Sequence, residues 1–187
     1  MIGINVQSEI DHARIVLSGA PEKLIPAVVR SLTKAVAGLD RKTVAEAAKK
    51  YKVKPKDIRQ AIRLRRANRT QLSASVEATT KRLALRMFKI TPAEPRPEQV
   101  QATIQVGDTH DIPQAFVARL HPSSGVGVYR RKDKRRFPLY ALKGPSVGRM
   151  ITDDLELMKL LKEEGAWTFT RTLRVEIARA LKGAAKK

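Results

Sequence analysis

The chain has 187 residues, 42% of them hydrophobic, and a formal net charge of +20 from 38 Lys+Arg and 18 Asp+Glu. This length can bury one core, and the charge excess calls for polyanions or acidic protein neighbours, which argues against a self-sufficient metabolic enzyme. The absence of cysteine excludes disulfides, thiolate nucleophiles and Cys-based zinc sites. No basic-then-apolar leader pattern opens the sequence, and no apolar run approaches the roughly 18 residues that span a bilayer, so we expect neither a signal peptide nor a membrane span.

The N-terminal part of the chain predicts helices. Apolar residues recur at three- and four-residue steps from Ile25 to Leu39, which is the spacing of one helical face. Gly38 is typical of a helix end. The capping box that begins at Thr43 then predicts a second, short helix over residues 44–51.

Residues 43–62 have the spacing of a helix-turn-helix, with a turn at 52–54 and a further helix opened by Pro55. Residues 41–69 contain twelve Lys+Arg and two Asp+Glu, which would suit contact with DNA. A structural helical corner needs the same apolar positions, and Lys52 stands in the turn where glycine is usual. We favour the structural corner and keep a helix-turn-helix DNA-binding regulator as the alternative. Candidate contacts to DNA or to an acidic partner in this segment are Lys56, Arg59, Arg63, Arg65 and Arg66.

The middle of the chain predicts an antiparallel β-sheet. From Leu72 onward the apolar period changes from about four to two. Prolines at 92, 95 and 97 predict a stiff connection between strands. The predicted strands cover residues 72–78, 83–87, 100–106 and 115–120, and the two arms of a hairpin cover 126–130 and 136–142.

The tip of that hairpin, Arg130–Arg136, contains six cations and one anion. Such a cluster suits phosphate contacts without base reading. It is equally typical of a loop docked on an acidic partner or simply solvated, and the sequence leaves these alternatives open. The candidate contacts here are Arg130, Arg131, Lys132, Lys134, Arg135 and Arg136.

Asp108, His110 and Asp111 could be interpreted as metal ligands, but turn formation explains Asp108 better. The sequence has no glycine-serine elbow and no phosphate-cradling glycine loop. We therefore expect no catalytic residue, no metal and no cofactor, and the prediction is that the protein is not an enzyme. The aromatic residues predicted to be core or interface anchors, and not a base-stacking platform, are Trp167, Phe169, Phe116 and Phe137.

After Gly144-Pro145-Ser146 the helical period returns, and Gly165 leaves open whether one long helix or a helical hairpin follows. The predicted fold class is α+β, with N-terminal helices that include the helix-turn-helix-like corner, a central antiparallel β-sheet, and a C-terminal helix or hairpin. We expect one structural unit over 1–187, made of a helical subregion 21–70, a β subregion 72–143 and a C-terminal helical subregion 146–187.

Five segments occur in a characteristic order: KDIRQAI, RLALRMFKITP, IPQAFV at 112–117, VYRR at 128–131, and FPLYALKGPSVGRMI. This succession resembles the phage minor tail protein Z family. Its members have a similar strand ending in proline, a similar "IP-aF" segment, and an arginine-rich turn that leads to "GPS" before a terminal helix. The resemblance covers most of residues 20–187.

The resemblance implies a structural virion protein of the phage tail and neck, which completes the head-proximal end of the tail for joining to the head. It also implies a homo-oligomer in the form of a hexameric ring. The expected partners are the tail tube or tail terminator and the neck or connector proteins, with non-specific contact to phage DNA and no membrane. The expected location is the virion, and the host cytoplasm during assembly.

Overall fold

The computed structural model describes residues 2–4, 24–121 and 125–184. The chain order of its elements is β1 (Ile2–Ile4), α1 (Ile25–Lys50), α2 (Pro55–Gln60), β2 (Ile62–Arg65), β3 (Ser75–Ala78), a 3-10 helix (Leu85–Met87), β4 (Lys89–Thr91), β5 (Val100–Gln105), β6 (Asp108–Ile112), β7 (Ala115–Ala118), β8 (Gly127–Arg131), β9 (Leu139–Ala141), α3 (Val147–Thr152) and α4 (Leu155–Ala184). The α+β class predicted from sequence is confirmed.

Helix α1 continues without interruption through Gly38, so the predicted helix end there is wrong. Thr43, predicted to cap a second helix, lies inside α1, and its hydroxyl donates to the carbonyl oxygen of Leu39 at 2.8 Å. Leu39 and Val44 are both buried, so the apolar face continues across the predicted break. A helical glycine costs only about 1 kcal/mol, which the burial of this face exceeds.

Helix α4 is one continuous helix of 30 residues, so Gly165 does not divide it into a hairpin. It packs antiparallel to α1. Arg30 near the start of α1 pairs with Glu176 near the end of α4 at 2.8 Å, and Lys50 at the end of α1 pairs with Asp154 just before α4 at 2.6 Å. The two longest helices of the described chain therefore lie side by side along their length.

Glu176 is a buried carboxylate at this helix pair, with 3% of its side chain exposed. It accepts hydrogen bonds from Arg30 Nε at 2.8 Å and Lys34 Nζ at 2.6 Å, both on α1, and from Arg179 Nη1 on its own helix at 3.2 Å. The hydrogen bonds from Lys34 and Arg30 lower the pKa of Glu176 to about 2. The carboxylate is thus held charged between the helices.

The β region is antiparallel, as predicted, but it forms three sheets of three strands each. Their strand orders are β1-β3-β2, β4-β5-β6 and β7-β8-β9. Buried apolar side chains from the helices and all three sheets form one continuous core. The predicted strands at 100–106 and 115–120 and the hairpin of 126–142 are confirmed. The two strands and the second hairpin arm are shorter than predicted, and the first arm is shifted by one residue.

Strand β2 replaces the last predicted turn of the second corner helix. Helix α2 ends at Gln60, and Ile62 pairs with Ala78 of β3, so the assignment of Ile62 to a helix is wrong and the predicted helical subregion 21–70 includes a strand. Burial alternates along β2, with Ile62 and Leu64 partly buried and the two arginines exposed. This burial pattern has a period of two. A segment of only four residues is too short to distinguish that period from a helical stripe in the sequence.

The predicted strand at 83–87 is also wrong, because Leu85–Met87 forms a 3-10 helix and the strand begins at Lys89. Strand β6 was not predicted. Its residues 108–111 are all exposed, so no apolar alternation signals it. Gly107, with φ +87°, makes the turn that returns the chain from β5 into β6.

The GPS segment joins the sheets to the C-terminal helices. The backbone N–H of Gly144 donates to the carbonyl oxygen of Leu83 at 2.9 Å. A Cβ at Gly144 would lie 2.5 Å from Cε2 of Phe88, so this ring packs directly on the glycine. The Ser146 hydroxyl then caps α3 by accepting from the N–H of Arg149 at 3.2 Å.

We predict that Gly38→Ala stabilises the protein by about 0.5–1 kcal/mol, because alanine favours the helix and restricts the unfolded chain. The added Cβ would meet Cγ2 of Thr168 at 3.7 Å, an ordinary van der Waals contact. Urea unfolding measures the change. The matched control is Gly107→Ala, which has open space but a φ of +87° and should lose about 1 kcal/mol. If both variants changed the unfolding free energy in the same direction, this explanation would be contradicted.

We predict that the stability supplied by Glu176 depends on pH. Its folded pKa of about 2 lies below the ordinary value of 4.5, so its contribution is fully present above pH 4.5 and is lost as pH falls toward 2. Glu176→Gln should remove this dependence, so the difference in unfolding free energy between the two proteins should shrink over that window. Chemical unfolding at a series of pH values measures it. A difference that stays constant from neutral pH to pH 2 would refute the assignment.

Candidate functional site

The basic loop, residues Arg130–Arg136, comprises the last two residues of β8 and the first part of the turn that leads to β9. The N–H of Lys132 donates to the carbonyl oxygen of Pro138 at 3.2 Å, which closes the base of the loop. All seven side chains are exposed. Within the described part of the chain no ion pair involves them, so six cations face solvent with Asp133 as the one local anion.

Two arginines of the basic loop are oriented by aromatic rings. The guanidinium carbon of Arg131 lies 5.6 Å from the ring centre of Phe116, and that of Arg136 lies 5.6 Å from the ring centre of Phe137. These cation–π contacts favour one direction for each side chain. The other cations of the loop have no such contact within the described residues, so they are available to a partner.

The basic candidates nearer the N-terminus are distributed over α2, β2 and the loop that follows. Arg59 pairs with the buried carboxylate of Asp40 at 2.9 Å, and Arg65 pairs with Glu77 across the sheet. These two arginines therefore serve the fold. The candidates that form no ion pair with another described residue are Lys56, Arg63 and Arg66.

The predicted helix-turn-helix-like corner is present in residues 43–62, but its two helices have other bounds than predicted. The first helix is the C-terminal part of the 26-residue α1, and the second, α2, has only six residues before the chain enters β2. A recognition helix must present several side chains along the major groove, which needs more than the turn and a half available here. The described geometry does not favour base reading.

The polar cluster around His110 lies on the exposed strand β6. His110 Nε2 is 2.7 Å from Asp108 Oδ1, whereas Asp111 accepts from Gln101 Nε2 at 2.9 Å. Successive residues of a strand point to opposite faces, so Asp111 turns away from the other two. Within the ranges that the structure describes, no group of three His, Cys, Asp or Glu could hold a metal ion.

The outer face of α4, defined here by Leu160, Trp167, Arg174 and Leu181, was not predicted as a surface. These residues recur every seven positions, and the three apolar ones are 39, 58 and 59% exposed. The guanidinium carbon of Arg171 lies 5.1 Å from the Trp167 ring. The seven-residue spacing could have revealed this face. Of the aromatic residues predicted to be core or interface anchors, Phe169 lies in the core, whereas Trp167 and Phe137 are exposed.

The described residues thus combine an α+β core with an exposed basic loop and an exposed apolar face on α4. The sequence matches the family model of prophage minor tail protein Z (GPZ) over residues 10–187, and the chain therefore belongs to this family of structural phage tail proteins. The resemblance stated from sequence is thus confirmed. Comparisons with curated proteins and with solved structures find no significant match. In the described part of the chain, no helix is both long and apolar enough to cross a bilayer.

We predict that replacing Lys132, Lys134 and Arg135 by glutamine changes the unfolding free energy by less than about 0.5 kcal/mol, because exposed tip residues contribute little packing. The same change should weaken non-specific duplex binding and lower its salt slope, by up to roughly 0.9 for each phosphate that the loop no longer binds. Thermal unfolding and DNA titration at several salt concentrations measure the two effects.

The matched control neutralises two lysines and one arginine outside the basic loop and the outer α4 face, the exposed residues Lys162, Lys182 and Arg119. It lowers the net charge by the same amount but leaves the basic loop intact. An equal loss of DNA binding in both triple variants would show that net charge alone attracts DNA. Loss of folding in the loop variant would show that the loop contributes to packing.

Proposed function

We propose that this protein completes the head-proximal end of a phage tail so that the tail can join the head. The observation that carries this proposal is the family match over residues 10–187, which places the chain among structural phage tail proteins. The basic loop supports a position at the head-proximal end of the tail. DNA passes from head to tail at this junction, and an exposed group of six cations would lie against its phosphates or against an acidic neighbouring ring.

The proposed assembly is a hexameric ring, in contact with the tail tube or tail terminator on one side and with neck or connector proteins on the other. A head-to-tail contact between identical subunits closes into a ring when its rotation closes. The outer α4 face supports such a contact. Exposed tryptophan and leucine side chains are the residue types that protein interfaces use as anchors.

We predict that six copies form one ring at the head-proximal end of assembled tails, and that tails lacking the protein fail to join heads. Electron microscopy of tails gives the position, and native mass spectrometry gives the copy number. Glutamine replacements at Lys132, Lys134 and Arg135 should reduce infectious-particle yield without unfolding the protein. Single copies placed away from the tail axis would overturn the proposal.

The subunit contact can be tested separately with Trp167→Ser and Leu181→Ser together. Loss of two apolar anchors that the ring contact would bury should shift the ring toward monomers, while leaving thermal unfolding of the subunit nearly unchanged. The matched control is Val106→Ser with Tyr140→Ser, which changes two apolar residues of similar exposure, 52 and 51%, elsewhere on the surface. Equal dissociation in both double variants would exclude the outer α4 face as the contact.

A further inference from the structure

A cleft of about 510 Å³ lies between the turn that joins α1 to α2 and the segment of the 3-10 helix and β4. Its lining has two parts. Tyr51, Val53 and Phe88 contribute buried apolar surface, with 4–5% exposure each. Around them are charged residues from both sides of the cleft. Four are exposed cations, Lys52, Lys54, Arg86 and Lys89, and one is the half-buried Asp57.

The apolar part of the cleft is held in place by the fold. The Tyr51 hydroxyl donates to the carbonyl oxygen of Met150 at 3.1 Å, and the N–H of Lys52 donates to that of Ile104 at 2.9 Å. On the opposite side, Phe88 packs on Gly144, where even a Cβ would be too close. The cleft is therefore formed before anything binds, and a ligand would lose little free energy in ordering it.

The positive charges of the cleft are not neutralised by ion pairs with other described residues of the subunit. None of its four cations forms an ion pair with another residue that the structure describes. Asp57 is the single acidic residue of the lining. Four like charges around one small cavity repel each other, and an entering anion would relieve that repulsion.

The buried floor and Asp57 distinguish between two kinds of anion. A nucleic acid backbone would leave the apolar floor without a partner and would place phosphates near the Asp57 carboxylate. An acidic peptide can cover the floor with one apolar side chain, and its backbone N–H can donate to Asp57. The cavity volume is in the range of small ligand sites and can accept a few side chains but not a duplex.

We propose that this cleft binds an acidic peptide segment of a neighbouring protein. An aromatic or aliphatic side chain of that segment covers the floor formed by Tyr51, Val53 and Phe88, and carboxylates on either side of it meet the cations. The segment thus anchors a partner at a place far in sequence from the basic loop. This inference does not depend on where in the tail the protein acts.

The test is an NMR titration of the full chain with the blocked peptide acetyl-Glu-Asp-Phe-Glu-Asp-amide. The amides of residues 51–54 and 86–89 should shift together and saturate with one peptide bound. Serine in place of the peptide's phenylalanine should weaken binding by roughly tenfold or more, because the floor then loses its apolar partner. Glutamine in place of its acidic residues should weaken binding by a similar factor.

The protein variant for the same titration is Lys52→Glu with Lys89→Glu, which should weaken binding by roughly tenfold or more. The matched control, Lys132→Glu with Lys134→Glu, makes the same change of net charge in the basic loop and should weaken binding by less than roughly threefold, through the long-range field alone. If the first variant does not fold, Lys54→Gln with Arg86→Gln tests the same cleft with a smaller change.

Equal weakening by both charge-reversal variants would overturn the proposal, since the peptide would then respond only to net charge. The proposal would also be overturned if the peptide bound equally well without its phenylalanine, or if binding did not saturate. Full displacement of the peptide from residues 51–54 by a short DNA duplex would assign the cleft to phosphates instead. None of these results would affect the proposed place of the protein in the tail, because that is decided by microscopy of assembled tails.

Discussion

The packing of α1 against α4 is the constraint on which the rest of the structure depends. Each sheet has only three strands, and a sheet of this size is stable only when one face packs against other parts of the protein. The first sheet packs on α1 through β2 and β3. Because Arg30 and Lys34 of α1 enclose the buried carboxylate of Glu176, the two helices are fixed in one axial register. The same pairing joins segments that are more than 140 residues apart in sequence.

Local periodicity was sufficient to predict the buried face of α1 and most strands, because these elements bury one side and expose the other. It failed where a distant contact decided the outcome. Gly38 and Thr43 are local signals for a helix boundary, but α4 packs along α1 across both, and the burial of that continuous face exceeds the local preference. It also failed at β6, where residues 108–111 are all exposed and no alternation exists to detect.

The candidate site also has a part that the sequence could predict and a part that it could not. The basic loop could be placed at a hairpin tip from sequence alone, since its charges are contiguous and its arms alternate. The sequence could not predict that two of the basic candidates, Arg59 and Arg65, form ion pairs. Their acidic partners, Asp40 and Glu77, are brought close to them only by the tertiary fold. The cleft is the extreme case. Its two cationic sides, residues 52–54 and 86–89, lie more than 30 positions apart, and neither is notable alone.

The ion pairs of the fold also determine how the charge excess is displayed. The acidic partners Glu176 and Asp40 are buried and Glu77 is half-buried. Their side chains retain 3, 7 and 14% exposure, whereas the arginines they bind retain 52, 55 and 67%. These three acidic groups are therefore withdrawn from the surface while their cationic partners stay near it. Close to the three pairs, the field outside the protein is more positive than it would be if both partners were equally exposed. An assembly that places several such subunits side by side must supply counter-charge at their surfaces, and DNA phosphates and acidic protein segments are the two sources with the required chemistry.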